Sequence, residues 1–245
     1  QKSSSIDIDR TGFGLRGGYT ITENLRQDWR YGFKISKISD VAGNASQLIQ
    51  DQIGTETISD ISHTVTYDKR DSSRFPTDGY YLQIANGFAG LGGSIRHFRN
   101  EFTIGRYYPL ADQWVLSAVG NAGYIIGIGT NVNILERFYV GGDNLRGFAT
   151  RGIGPRDSIT NDSLGGEWMY SGSLRFRFPL GLPEDYGIGG RLFTDLGSSG
   201  QLKPTASFVQ DTGALRSSIG TGITWLSPFG PMSVDFAVPI VKENF

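Results

Sequence analysis

Cysteine is absent from the chain, which removes disulfides, thiolate nucleophiles and Cys-ligated zinc or iron–sulfur sites together. Histidine is nearly absent too: His63 and His97 are the only two, too few for a His-rich metal site. No run reaches the ~18 consecutive apolar residues of a membrane-spanning helix. Residues 1–20 lack a charged start followed by an apolar block, so no signal peptide is expected in them. Excess charge of one sign is missing as well. Lys+Arg number 23 against 24 Asp+Glu, a net charge of -1, without the basic footprint of a nucleic-acid binder. Proline, at 9 residues, is too sparse for a disordered Pro/Gly tract. Glycine stands at the other extreme, with 35 of 245 residues, roughly twice ordinary usage. What remains is a β protein rich in glycine and aromatics. It is either soluble or a membrane barrel whose strands alternate instead of running apolar.

Period-two alternation fills the chain and helical periodicity is nearly missing. From Leu25 onward, Leu25, Gln27, Trp29, Tyr31, Phe33 and Ile35 fall on one face, with Arg26, Asp28, Arg30, Gly32, Lys34 and Ser36 on the other. The same pattern returns around Trp168–Phe178 and again around Leu215–Trp225. It predicts ten strands, at 4–19, 25–38, 57–68, 79–89, 95–108, 114–128, 167–178, 187–196, 215–226 and 231–240.

Two architectures compete for such strands. A soluble sandwich buries its apolar faces between two sheets. A membrane barrel turns them to lipid and keeps a polar lumen. The strands are about 10–15 residues long against a soluble mode of about five or six. Their polar faces carry Gly and Arg, and aromatics such as Tyr80, Tyr81, Tyr107, Tyr108, Trp114 and Trp225 gather near strand ends. Connections after alternate strands are short (Thr20–Asn24, Lys69–Asp78, Pro109–Gln113, Leu180–Tyr186, Ser227–Gly230). Those at 39–56, 129–166 and 197–214 are long and polar, and only Gly90–Ser94 breaks the alternation. Short turns on one side and long loops on the other form the outer-membrane pattern. The expected fold is all-β: an antiparallel transmembrane β-barrel with both chain ends on the long-loop side.

Several motifs have bland readings. Gly12-Phe13-Gly14-Leu15-Arg16-Gly17 matches a dinucleotide fingerprint, but that fingerprint works at the turn between a strand and a helix. Here it sits inside a strand. His63 shares a face with Ile61, Val65 and Tyr67, which places it outward or at the interface. His97 shares one with Arg99 and Glu101 and points into the lumen; a barrel hydrolase would have to be built on it. No Gly-x-Ser-x-Gly elbow exists. Asn44-Ala45-Ser46 and Asn161-Asp162-Ser163 match a glycosylation pattern that has no meaning in a bacterial-type barrel.

Four segments together resemble the BamA family of bacterial outer-membrane protein assembly factors. Leu145-Arg146-Gly147-Phe148 is similar to that family's loop-six motif. Arg74-Phe75-Pro76-Thr77-Asp78-Gly79 is similar to its periplasmic hairpin. Phe138-Tyr139-Val140-Gly141-Gly142 and Trp225-Leu226-Ser227-Pro228-Phe229-Gly230-Pro231 agree as well, and the likeness runs over essentially the whole chain. TamA-like and two-partner-secretion translocation barrels share the Arg-Gly-Phe element, and the Phe-Pro-Thr-Asp-Gly and Ser-Pro-Phe-Gly-Pro runs favour BamA.

The resemblance implies a 16-stranded barrel preceded by POTRA domains. Residues 1–245 then form a partial barrel domain, with the POTRA domains and the first and last strands not in the chain. Val241–Phe245 resembles a loop entry. The implied activity is folding and insertion of other β-barrel proteins into the bacterial outer membrane, without enzymatic chemistry or cofactor. The implied partners are outer-membrane lipids, accessory assembly lipoproteins and unfolded β-barrel clients, and no nucleic acid. A passive pore or receptor barrel is the alternative.

The family often places a carboxylate partner for the motif arginine on the strand after loop six, and that position here is Arg175. Asp195 is therefore the expected lumen partner of Arg146. It lies on the polar face of its strand with Gly187, Gly189 and Arg191, opposite Ile188, Leu192 and Leu196. Glu136, Asp143 and Glu167 are the next candidates.

Overall fold

The computed structural model describes residues 7–39, 41–203 and 205–243. In chain order the elements are β1 (Asp7–Thr22), β2 (Leu25–Ser39), α1 (Gln47–Gln50), β3 (Gly54–Asp68), β4 (Gly79–Gly93), β5 (His97–Ala111), β6 (Trp114–Gly127), β7 (Arg156–Asp157), β8 (Trp168–Pro179), β9 (Ile188–Gly200), β10 (Val209–Gln210), β11 (Arg216–Ser227) and β12 (Gly230–Val241). Ten of these strands form one antiparallel sheet in the order β1-β2-β3-β4-β5-β6-β8-β9-β11-β12. The remaining two, β7 and β10, pair with each other inside the long loops. Among the described residues β1 and β12 are the sheet's two edges and no ladder joins them.

The alternation read from the sequence sets which way each side chain points, and the result inverts a soluble protein. Leu15, Phe13, Ile219, Ile223, Val234 and Phe236 are half to three-quarters exposed on the convex face. Ser117, Ser171, Asp195, Arg216 and Ser218 are buried on the concave one. Such a sheet is stable when lipid covers the apolar side and the polar side lines a lumen. Antiparallel neighbours joined by short turns bring sequence-adjacent strands together, so the sheet has no crossover other than the loops.

All ten expected strands are present, with two kinds of adjustment. Residues 4–6 of the first lie outside the described residues, as do Asn244 and Phe245. Several strands also run further toward the long loops than expected: β3 begins at Gly54, β4 continues to Gly93 and β9 to Gly200. Gly197-Ser198-Ser199-Gly200 reads as the opening of an exposed loop, yet it stays paired to Trp168–Ser171 of β8. Ser198 and Ser199 are fully buried: Ser198 Oγ donates to the Ala214 carbonyl at 2.8 Å, and loop six settles on Ser199, where a Cβ on Gly166 would come 2.3 Å from its Oγ.

The long loops, expected to be polar, hold an apolar core of their own. Ala45, Ile49, Ile134, Leu164 and Leu202 come from three different connections and are at most 5% exposed. Asp162 ties two of them together by accepting the Ser46 N–H at 2.8 Å. The three long connections therefore form one packed layer at their end of the sheet.

Candidate functional site

Loop six, between β6 and β8, folds back onto the concave face. Its base is fixed by Arg137, 6% exposed, whose Nε and Nη2 donate to the Val132 carbonyl at 3.1 and 2.9 Å. Arg137 Nη1 donates to the Leu164 carbonyl at 3.0 Å, and burial pulls the guanidinium below the ordinary arginine pKa. The tip is a tight turn. Gly141 and Gly142 take φ of +116° and +70°, the Asn144 side chain accepts from Gly141 N at 2.7 Å, and Gly142 N donates to the Phe148 carbonyl at 3.1 Å.

Each residue of the Leu145–Phe148 motif then has a place. Leu145 is fully buried with Val140 and Ile153, and Phe148 packs against that cluster. Leu145 sits directly above Gly197, where a Cβ would approach its Cδ1 to 2.8 Å. Gly147 has φ +87°, and a side chain there would also press on Ser218 and Ala237 of β11 and β12 at 3.2 and 3.4 Å. Left-handed backbone and close approach both call for glycine at this position.

Arg146 uses every edge of its guanidinium. Nε donates to Asp195 Oδ2 at 2.7 Å and Nη2 to Asp195 Oδ1 at 2.8 Å, a parallel fork on one carboxylate. Its backbone N–H adds a contact to Asp195 Oδ2 at 3.2 Å. Nη1 donates to Asp235 Oδ2 at 2.8 Å and Nη2 also reaches Ser173 Oγ at 3.1 Å. The guanidinium carbon lies 3.3 Å from the centre of the Phe193 ring. The floor beneath is made by glycine. Phe193 lies over Gly220, where a Cβ would come 2.2 Å from its ring, and the Arg191–Asp235 ion pair bridges Gly222. The ion-paired residues are thus two cations and two anions, which offset one another's charge, and Arg175 stands beside them, donating to the same Ser173 hydroxyl at 2.9 Å.

The other motif is a hairpin closed by one carboxylate. Asp71 accepts from Ser72 N and Thr77 N, both at 2.9 Å, from Asp78 N at 3.2 Å, and from the Thr77 hydroxyl. Burial works against the charge, but these donors outweigh it and hold the Asp71 carboxyl below its ordinary pKa. Gly79, at φ +101°, would place a Cβ 2.1 Å from the Lys69 carbonyl oxygen, so only glycine fits. Phe75 and Pro76 turn toward the sheet: Arg177 lies 3.8 Å over the Phe75 ring and donates to the Pro76 carbonyl at 3.1 Å. Arg74 remains exposed.

The other sequence candidates lie apart. Glu136 ends a short 3-10 turn, Asp143 is exposed at the loop tip, and Glu167 accepts from Lys203 N at 3.0 Å. None of the three pairs with Arg146 among the described residues. Gly12–Gly17 runs through the middle of β1 with no helix after it. His97 is 5% exposed on the concave face, and His63 stacks on Trp29 at 4.2 Å. Asp235, Phe193, Ser173 and Arg137 are site residues that the sequence reading passed over. For Asp235 a signal existed: on β12 it alternates with Val234 and Phe236, which face outward, so it belongs to the polar face.

The sequence profile of the Omp85 superfamily domain matches residues 1–245. The outer membrane protein assembly factor BamA of Neorickettsia risticii (strain Illinois) is 35% identical over 226 residues, 91% of this chain and 30% of that protein. The sorting and assembly machinery component 50 homolog of Xenopus tropicalis is 30% identical over 219 residues, 83% of this chain and 46% of that protein. The chain thus spans less than half the length of these relatives. Among solved structures, that of BamA from Haemophilus ducreyi lacking POTRA domains 1–3 superposes with a TM-score of 0.80. It is 23% identical and covers 96% of this chain and 52% of that one, a likeness of fold.

Proposed function

The chain belongs to the Omp85 superfamily, and on that premise we propose that it is the barrel wall of a factor that folds and inserts other β-barrel proteins into a membrane. Its place is the bacterial outer membrane. The observation that carries the reading is the 35% identity to an assembly factor along 91% of the chain, and the loop-six arginine seated on Asp195 and Asp235 supports it. The relatives carry the names of an outer membrane protein assembly factor and of a sorting and assembly machinery component, and we read no catalytic step into this chain.

In this reading residues 1–245 are part of a larger barrel, with POTRA domains and further strands supplied by the rest of the protein. Unfolded β-barrel chains are the clients. They pair through backbone hydrogen bonds with an opened seam of the barrel, the strand-addition chemistry open to any sheet edge. Outer-membrane lipids and accessory lipoproteins are the other partners. The Asp71 hairpin faces the periplasm with Arg74 at its tip. Loop six, pinned by Arg146, keeps the lumen in one arrangement while the seam works.

The test is rescue. The full-length protein that carries this chain, expressed in a bacterium depleted of its own assembly factor, should restore folded outer-membrane barrels. The R146A variant should restore far fewer at equal membrane abundance. A passive pore would conduct ions in planar bilayers yet rescue nothing, and that result overturns the assignment.

A further inference from the structure

Below the loop-six site, at the short-turn end of the concave face, lies a second cavity of about 250 Å³ lined by five arginines: Arg70, Arg74, Arg175, Arg177 and Arg191. No carboxylate is among its lining residues. Two of the five are neutralised from outside it, Arg70 by Asp68 at 2.7 Å and Arg191 by Asp235. Among the described residues Arg74, Arg175 and Arg177 make no ion pair. Arg175 spends one donor on Ser173 Oγ at 2.9 Å, and Arg177 one on the Pro76 carbonyl. A guanidinium carries five N–H donors, and these bonds occupy one on each.

The strand register crowds these cations together. Arg177 of β8 stands directly opposite Arg191 of β9, and like charges directly opposite in a ladder repel. Arg175 is two residues along on the same face as Arg177. Arg175 and Arg177 line one small cavity with the exposed Arg74 at its rim, and planar guanidinium pairs grip the oxygens of a phosphoryl group in bidentate fashion. We propose that this cavity binds a multiply charged phosphoryl anion inside the barrel, held chiefly by Arg175 and Arg177 with Arg74 closing over it from the hairpin. The site adjoins the Arg146 cluster through Arg191 and through Ser173, to which Arg175 and Arg146 both donate, and it does not depend on the assembly function.

The phosphoryl group can come from a soluble anion or from a lipid headgroup, and two measurements separate these sources. Sodium pyrophosphate titrated calorimetrically into the full-length protein in neutral detergent, at constant ionic strength, should bind saturably. The R175Q/R177Q double variant should bind about tenfold more weakly or worse. R16Q, which alters an exposed arginine on β1, should bind like the parent. In phosphatidylcholine nanodiscs doped with phosphatidic acid, whose phosphomonoester can carry two charges, a phosphorus resonance that broadens only when Arg175 and Arg177 are intact identifies a headgroup as the source. Should R175Q/R177Q not fold, judged by heat-modifiable migration on gels, R175K/R177K keeps the charge and loses the forks, and it too should bind more weakly than the parent. No saturable binding of either phosphoryl source, or a loss in R16Q equal to that of the double variant, overturns the proposal.

Discussion

Removing the Arg146 side chain tests the site most directly, because the structure dictates an order of losses. Asp195 has a side chain only 3% exposed and receives its two side-chain N–H donors from Arg146. Asp235, 16% exposed, keeps Arg191 when Arg146 is gone. R146A therefore strands one buried carboxylate and not two. Breaking a buried pair from one side costs about 3–5 kcal/mol. The lumen is wetter than a protein interior, which puts the expected loss at the lower end, about 3 kcal/mol. R146K retains the charge but cannot form the fork, reach Asp235 and touch Ser173 at once, so it should lose about 1.5–3 kcal/mol. D235N should cost less than D195N, since Asp195 supplies the fork. In the double variant R146A/D195N neither member of the pair leaves its partner's charge stranded, and the coupling between the two positions should be about 2–3 kcal/mol. The assay is urea unfolding of the full-length protein in lipid vesicles, followed by tryptophan fluorescence and heat-modifiable migration, with the midpoint shift read at constant slope. Additive effects of R146A and D195N, or a larger loss for D235N than for D195N, would refute the reasoning.

Three further outcomes follow from the same geometry. Ile84 and Gln83 are neighbours on opposite faces of β4; I84R should cost about 2–4 kcal/mol in a lipid bilayer, and Q83R much less. Equal losses in vesicle unfolding would argue against lipid on the convex face. G147A must place a side chain at φ +87° against Ser218 and Ala237, so it should destabilise by about 1–3 kcal/mol and increase proteolytic nicking of loop six. Unchanged nicking would show that the loop is not held where it lies. The last concerns pH. The depressed carboxyl of Asp71 contributes stability to its hairpin above the ordinary aspartate value of about 3.9, and this is lost as pH falls through its lower folded value. The Ser72 and Thr77 amide resonances should titrate with a midpoint below that of a free aspartate, and D71N should abolish the step. A midpoint at or above the free value would remove Asp71 as the clamp.

Much of this protein is written in one dimension. A period of two assigns every strand residue to one face, and alternation of short and long connections orders neighbouring strands. The ten strands, the outward Ile219 and Ile223, and the inward Asp195 were therefore legible without coordinates. So were Gly79 and Gly147 as members of motifs, though not the backbone angles that demand them. What only the tertiary structure decided depends on contacts between residues far apart in the chain. Arg146 meets Asp235 across 89 positions, through a register that carries Arg191, Gly222 and Asp235 in one row over three strands. No local pattern encodes which row a returning loop will land on. The extension of β9 to Gly200 has the same cause: Ser198 and Ser199 read as turn formers by themselves, and they stay in the sheet with Ser198 bonded to Ala214 and loop six packed on Ser199. The apolar core among the long loops also lay hidden, since Ala45, Ile134 and Leu202 lie in three different connections and nothing local marks them as neighbours. Periodicity decides a residue's face, and burial of a loop is decided by what comes to lie over it.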